Sequence, residues 1–229
     1  MQSDSDSAPD LNAGGAARLY RIRFDARAEQ RNVGIWKVLC HSFFQRYVPE
    51  TGTVVDLGAG SCEFINQIRA ARRIAVDTNP QTRQRATPGV EVCDADIRTL
   101  DGLPRAFADV VFASNVLEHL PTKADLMAAL RAAHAVLRPG GALLVMGPNI
   151  RFASREYWDF LDHHIALSDR SLREALEMAG FTVRELRPRF LPLSRLSRLP
   201  QHPFLVRLYL LCPPAHRVLG RQFFAVATR

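Results

Sequence analysis

The chain has 229 residues, 47% of them apolar and 23% charged, which is enough for one α/β domain with a substantial core and excludes a disordered or fibrous chain. No apolar run reaches membrane-spanning length; the nearest, Phe204 to Cys212, is short and carries Arg207. The net charge of +7 is uneven, because nine arginines stand against one acid, Glu185, between Arg184 and Arg229, leaving the rest of the chain near neutrality.

The first seventeen residues, MQSDSDSAPDLNAGGAA, are small, polar and acidic, too poor in apolar surface to offset ordering entropy, so a disordered tail is expected at 1–17. It lacks the basic start and apolar stretch of a signal peptide. The four cysteines, at 40, 62, 93 and 212, include no C-x-x-C pair, which argues against a zinc site or redox dithiol and for a reducing, cytoplasmic setting.

A helical pattern over Asp25 to Tyr47 offers Val33, Trp36, Val38, Leu39, Phe43 and Phe44 for burial, and Pro49 and Gly52 end it. Thr53 to Leu57 reads as a buried strand, Glu63 to Arg72 as a helix, and Arg73 to Val76, Val90 to Cys93 and Asp109 to Ala113 as further strands. Ala124 to Leu137 is a helix with Leu126, Leu130, Ala133 and Leu137 on one face, Thr122 and Asp125 at its N-terminal cap, and Pro139-Gly140-Gly141 as its stop. Ala142 to Met146 is a fifth strand and Ser171 to Ala179 a helix closed by Gly180; Phe181 to Leu186 and Gln222 to Thr228 are two final strands. Short apolar strands alternating with helices predict an α/β, Rossmann-like, doubly wound sheet, mostly parallel. Ligands of such sheets bind outside the carboxyl ends of the strands, so the residues ending each strand are the candidates.

After the first strand comes Asp56-Leu57-Gly58-Ala59-Gly60. Two glycines permit a tight turn and close approach to a ligand. A dinucleotide fingerprint G-x-G-x-x-G would put its third glycine where Glu63 stands; a carboxylate there repels a pyrophosphate, which favours a ligand without phosphates. Asp77 ends the second strand, 17 residues beyond Gly60, where an acid can accept both hydroxyls of a ribose; an ordinary turn aspartate before Asn79-Pro80 is the bland alternative. Asp94 and Asp96 follow the third strand, and of the two Asp96 is preferred as acceptor from an adenine amino group.

The pieces VVDLGAGSCEF, AVDTNP, CDADIRTL, FADVVFASNVLEHLP, LRPGGALLVMGPN and SLREALEMAGFTV occur in this order over Thr53 to Val183, and the set resembles the class I S-adenosylmethionine-dependent methyltransferases. The resemblance implies a seven-stranded sheet whose last strand, Gln222 to Thr228, inserts antiparallel beside the fifth. It implies S-adenosylmethionine as cofactor, with Asp56 and Gly58 near the methionine moiety, Gly60 lining the loop, Asp77 on the ribose, Asp96 on the adenine amine, Ile97 packed on the ring and Asn115 beside the sulfonium. The family often carries glycine where this chain has Cys62. The expectation is that the turn depends on Gly58 and Gly60, with position 62 already inside the following helix and its thiol structural.

Methyl transfer from a sulfonium is a direct displacement with an activated leaving group, so positioning and desolvation supply most of the catalysis; a hydroxyl acceptor also gains from a base. Two segments offer one. His119 lies in Asn115-Val116-Leu117-Glu118-His119 after the fourth strand, and His163 and His164 lie in YWDFLDHH after the fifth. Structural duties are open to all three: His119 can organise its loop, and His163 and His164 can cap a helix or fill an interface. An Asp-His-His metal site is disfavoured because no further ligand is apparent, so no metal is expected.

The expected layout is a single domain over 18–229, with an N-terminal helical cap at 19–47 and an insertion at 187–221 between the last two strands. Both would cover a small-molecule acceptor undergoing O- or N-methylation. The Arg-rich insertion could instead meet an anionic substrate, lie peripherally on a membrane or pack on another subunit; the sequence leaves the choice and the oligomeric state open. An RNA or protein methyltransferase is the runner-up, weakened by the absence of an RNA-binding module and by Ser114-Asn115-Val116-Leu117 standing where many base and glutamine N-methyltransferases have an N-P-P-aromatic tetrapeptide. A non-catalytic cofactor-binding partner subunit is a further alternative.

Overall fold

The computed structural model describes residues 26–193 and 202–229, with side chains from Asn32 onward in the first of these stretches. The tail expected at 1–17 and the middle of the 187–221 insertion lie outside the described residues. In chain order the helices are α1 (Ala26–Ser42), α2 (Thr82–Arg85), α3 (Lys123–Val136), α4 (Ile150–Tyr157), α5 (Asp169–Met178), α6 (Pro203–Leu210) and α7 (Pro213–Leu219). The strands are β1 (Thr53–Leu57), β2 (Arg72–Val76), β3 (Val90–Cys93), β4 (Ala108–Ser114), β5 (Leu137–Pro148), β6 (Thr182–Arg187) and β7 (Gln222–Thr228), and 3-10 turns occupy Phe44–Tyr47 and Leu117–His119.

The seven strands form one sheet in the order β3-β2-β1-β4-β5-β7-β6. The first five pair in parallel. β7 runs antiparallel to both neighbours, inserted between β5 and β6 as expected. Strand order reverses at β1, whose neighbours are β2 and β4, so the ends of β1, β2 and β4 border the crevice where such a sheet takes its ligand.

Each face of the sheet buries its own cluster. Leu126, Leu130 and Ala133 of α3 and Leu172 and Leu176 of α5 cover one face, over Val55, Val111 and Val145. Leu39 and Cys40 of α1, with Phe43, Phe44 and Phe64, cover the other, over Val54, Phe112, Leu144 and Phe224; Val206 and Tyr209 of α6 pack against that cluster. The side chains alternate between faces because successive residues of a strand point to opposite sides. The expected N-terminal helix is interrupted at Phe43, and Val33, expected to be buried, is 48% exposed.

Two further expectations are corrected. No helix forms over Glu63 to Arg72; residues 61–67 are consecutive turns with only scattered helical bonds, such as Asn66 N–H to Cys62 O and Ile68 N–H to Phe64 O. The Gln45 side chain ends this stretch by accepting from Arg69 N–H at 3.0 Å and donating to Arg69 O at 2.8 Å, which satisfies the backbone that a longer helix would have used. The fifth strand, expected to begin at Ala142 after Pro139-Gly140-Gly141, begins at Leu137 and includes that segment, because Gly140 N–H donates to Arg229 O and Arg229 N–H to Gly141 O, drawing it into the sheet. The Thr122–Asp125 capping box on α3 forms as expected. A corresponding box on α5 joins Ser168 to Ser171 and starts that helix two residues early.

Candidate active site

Three alternate positions after β1 are left-handed: Gly58 (φ 64°), Gly60 (φ 50°) and Cys62 (φ 60°). This corrects the expectation that position 62 had already entered a helix. The backbone there has the conformation that favours glycine, and a thiol is held in it. Cys62 is fully buried, its Sγ lies 3.6 Å from Thr82 O, and burial, helped by the charge of Asp56, pushes its pKa up to about 12. A thiol so unwilling to ionise is a poor nucleophile, and its role is structural.

Asp56, at the end of β1, is 4% exposed. Burial, reinforced by the charges of Asp77 and Glu63, raises its carboxyl well above the ordinary range, while a backbone N–H from Ile65 opposes the shift. Asp77 continues from β2. Its Oδ2 accepts from Gly60 N–H at 2.7 Å and its Oδ1 from Asn79 N–H at 2.8 Å, so one carboxylate braces the loop after β1 and its own turn. Gly60 O in turn accepts from the Thr82 hydroxyl. Desolvation raises the Asp77 pKa, and the two amides oppose it.

After β3, Asp94 is exposed, Asp96 is half-buried and Ile97 is buried in the core. Asp96 accepts from Arg98 through both carboxylate oxygens, and Arg98 also pairs with Asp125. The Arg98 hydrogen bond is the main reason the Asp96 carboxyl is held below its usual range. Asn115, after β4, is exposed and left-handed (φ 49°); its N–H donates to Met146 O and its Nδ2 to Ser114 Oγ. The next residue, Val116, closes on the glycine loop: a Cβ built on Gly58 would lie 2.3 Å from Val116 Cγ2.

Glu118 and His119 sit in the 3-10 turn that follows, and the segment after α4 is clamped onto it. His164 N–H and Ile165 N–H both donate to Glu118 O, at 2.9 and 3.2 Å. His119 Nδ1 lies 2.8 Å from Asp162 O and 3.4 Å from Asp162 Oδ2. The His163 ring lies 5.0 Å from that of His119, 4.8 Å from Tyr157 and 4.9 Å from Phe160. The Tyr157 hydroxyl donates to Ile165 O and fixes the return of the chain. His119 and His163 are therefore brought together, whereas His164 is exposed and meets the turn through its backbone. Sequence reasoning missed Glu118, which is 3% exposed. Its place beside His119 was visible, but not that the turn directs its carboxylate inward.

The family model described as a methyltransferase domain matches residues 28–186. The chain belongs to that family. Its members' fold is shared by solved structures at low identity. A chain from the complex between the Haloferax volcanii Trm112 methyltransferase activator and a methyltransferase is 20% identical, with a TM-score of 0.67, covering 97% of this chain and 99% of that one. An S-adenosylmethionine-dependent methyltransferase from Archaeoglobus fulgidus is 19% identical (TM-score 0.61; 84% and 92% covered). The N-methyltransferase NodS from Bradyrhizobium japonicum, solved with S-adenosylhomocysteine, is 14% identical (TM-score 0.62; 96% and 99% covered). No curated protein sequence matches the chain.

The methyltransferase uses S-adenosylmethionine, and the residues at its strand ends fit that cofactor. Each Asp77 oxygen accepts one amide and keeps a lone pair for a further donor. The charges of Asp77 and Glu63 act on Asp56, and that of Asp94 acts on Asp77. An acidic crevice of this kind attracts a sulfonium and an ammonium and repels a pyrophosphate, as Glu63 suggested from sequence. Among the described residues no helix is long and apolar enough to cross a membrane.

Proposed function

We propose that the methyltransferase acts on a small-molecule oxygen or nitrogen acceptor by direct displacement. Asp56, Gly58, Gly60, Asp77, Asp96, Ile97 and Asn115 hold the cofactor as the family resemblance implies, although Asp96 must share its carboxylate between Arg98 and the adenine amine. When bound, S-adenosylmethionine supplies an electrophilic methyl group. The chain's own part is to orient the acceptor in line with it, exclude water and relieve the acceptor of its proton. Proton handling falls to the cluster of Glu118, His119 and His163, at the same strand ends as the glycine loop. Because a carbonyl oxygen only accepts, His119 Nδ1 carries the hydrogen shared with Asp162 O, and Nε2 keeps the lone pair. Exposed His164 is left out of this assignment. The N-terminal helix and the 187–221 insertion are proposed as the acceptor's cover: α6 packs beside α1, where a Cβ on Gly34 would meet Pro203 at 3.1 Å, and Asn32 Nδ2 reaches Glu63 Oε1 at 3.5 Å. The cysteines, all free thiols, suit the reducing cytoplasm expected from their spacing.

The observation favouring a small acceptor over RNA is the use made of the C-terminal arginines. Arg184 donates to Thr228 Oγ1, Arg187 pairs with Glu185, Arg189 donates to Gly220 O and Val218 O, and Arg221 donates to Phe152 O and pairs with Glu156. These guanidinium groups serve the fold, which reduces the basic surface left for phosphates. Retention on immobilised RNA across a salt series tests the choice: weak retention with a shallow salt slope is expected, and a steep slope would transfer the acceptor to nucleic acid.

A further inference from the structure

We propose that Glu118, His119 and His163 form a binding site for one divalent transition-metal ion of the zinc class, placed to take the acceptor's donor atom. The proposal rests on the methyltransferase reading above and states how the cluster handles the acceptor's proton. One carboxylate oxygen and one nitrogen from each imidazole lie within 4.8 Å of one another, close enough to collapse around a single ion with metal–ligand bonds of about 2.0–2.2 Å. Two imidazoles and one carboxylate are a donor set that zinc takes in catalytic sites, with a coordination position left for substrate.

Three features show that the cluster is built rather than incidental. The imidazole of His119 is oriented from behind: Nδ1 donates to Asp162 O with Asp162 Oδ2 at 3.4 Å, which leaves Nε2 as the ligating nitrogen, the arrangement by which metal-binding histidines are aimed. The two loops that supply the ligands are joined by two backbone hydrogen bonds into Glu118 O, so the ligands come from fixed segments. Glu118 is 3% exposed, so its carboxylate faces the cluster and not open solvent. Tyr157 and Phe160 flank His163 with aromatic rings and restrict water on that side. With the cluster after β4 and Val116 closing on Gly58, an acceptor oxygen or nitrogen on the ion would lie beside the cofactor loop. The ion would lower the acceptor's pKa as it does that of a bound water, so that the acceptor releases its proton to solvent, the His119 and His163 nitrogens being taken up by the ion, and meets the methyl group with its lone pair free.

The test uses the full chain, stripped with chelator and titrated separately with Zn2+ and with Co2+. One equivalent of Zn2+ should remain after desalting, and Co2+ should give the visible absorption bands of a low-symmetry nitrogen–oxygen site that Zn2+ then displaces. Glu118→Gln and His163→Ala should each weaken binding by at least about 100-fold, since loss of a ligand costs no less than loss of a group that orients one. Both variants should still bind S-adenosylhomocysteine by calorimetry, which shows that they fold. Wild-type chain that retains no metal while binding S-adenosylhomocysteine normally overturns the ion site and leaves the methyltransferase reading intact. Metal retained equally by both variants places the ion elsewhere and also overturns the proposal.

Discussion

Asp77 Oδ2 accepts the backbone N–H of Gly60 at 2.7 Å, so the carboxylate ending β2 sets the shape of the loop ending β1. On the cofactor reading proposed above, one side chain thereby has two duties, bracing the loop and facing the ribose. Replacing it with alanine removes both at once. Charge-assisted hydrogen bonds contribute about 1.5–3 kcal/mol each, so losing two ribose contacts predicts that Asp77→Ala weakens S-adenosylhomocysteine binding by at least about 100-fold. Asp77→Asn, which keeps one carbonyl oxygen for Gly60 or the ribose, should fall between. Calorimetric titration measures both, and an unchanged affinity for Asp77→Ala removes the ribose assignment.

The buried carboxyl of Asp56 predicts a pH dependence with a definite sign. Its folded pKa is raised, so between the ordinary aspartate value near 3.9 and the folded value the native state holds more protons than the unfolded chain. Stability then falls as pH rises through that window and is greatest below it. Asp56→Asn removes the share of the dependence that Asp56 contributes and leaves that of Asp77, whose carboxyl is also raised. Relieving a buried charge worth about 1–2 kcal/mol should raise the melting temperature of the cofactor-free protein at neutral pH by about 2–8 °C. The same substitution should shrink the further rise that S-adenosylhomocysteine produces, because on the proposed cofactor reading Asp56 lies near the methionine moiety, whose ammonium then loses a carboxyl partner. Thermal melts from pH 5 to 8, with and without S-adenosylhomocysteine, read both effects. A variant that melts below the wild type throughout contradicts the sign.

Cys62 shows the competition between backbone and side chain at the third left-handed position. Glycine there relieves about 1–2 kcal/mol of backbone strain but gives up a buried thiol and adds entropy to the unfolded chain. Cys62→Gly should therefore stay within about 1 kcal/mol of wild type. Cys62→Val keeps an apolar side chain but puts a β-branched residue at positive φ, and should cost about 2 kcal/mol or more. Urea denaturation compares the two, and a valine variant as stable as the glycine one would show that position 62 is not left-handed.

Much of the fold was legible because it is written in periods of two and 3.6 residues. β3 and β7 were delimited residue for residue, and Leu126, Leu130, Ala133 and Leu137 all prove buried. What escaped depends on distant partners. The turns at 61–67 look helical in sequence, and only the Gln45 side chain, from another segment, shows why a helix does not continue to Arg72. Pro139-Gly140-Gly141 has the composition of a loop, and Arg229 at the far end of the chain makes it strand. At the site, the strand-end rule singled out Asp77 and Asp96, and the family resemblance added roles for Asp56 and Asn115, all without any contact being known. Arg98's hold on Asp96, the left-handed backbone at Cys62 and the inward carboxylate of Glu118 are properties of side-chain and backbone direction, which spacing alone does not encode.

Gly58 and Val116 give the last prediction. Gly58 has φ 64°, and an added Cβ would lie 2.3 Å from Val116 Cγ2 and 2.9 Å from its Cβ. Two costs then fall on Gly58→Ala: about 1–2 kcal/mol from the left-handed backbone and about 1–3 kcal/mol from the overlap. Trimming the neighbour addresses only the second, because Val116→Ala removes both Val116 γ carbons near the new methyl and leaves φ untouched. The double variant Gly58→Ala/Val116→Ala should thus recover about 1–2 kcal/mol relative to the sum of the singles, while remaining less stable than wild type. S-adenosylhomocysteine binding should follow the same order, since the overlap displaces the turn that carries Asn115 away from the loop it borders. Denaturation of the four proteins gives the coupling energy, and strict additivity would show that these two segments do not touch.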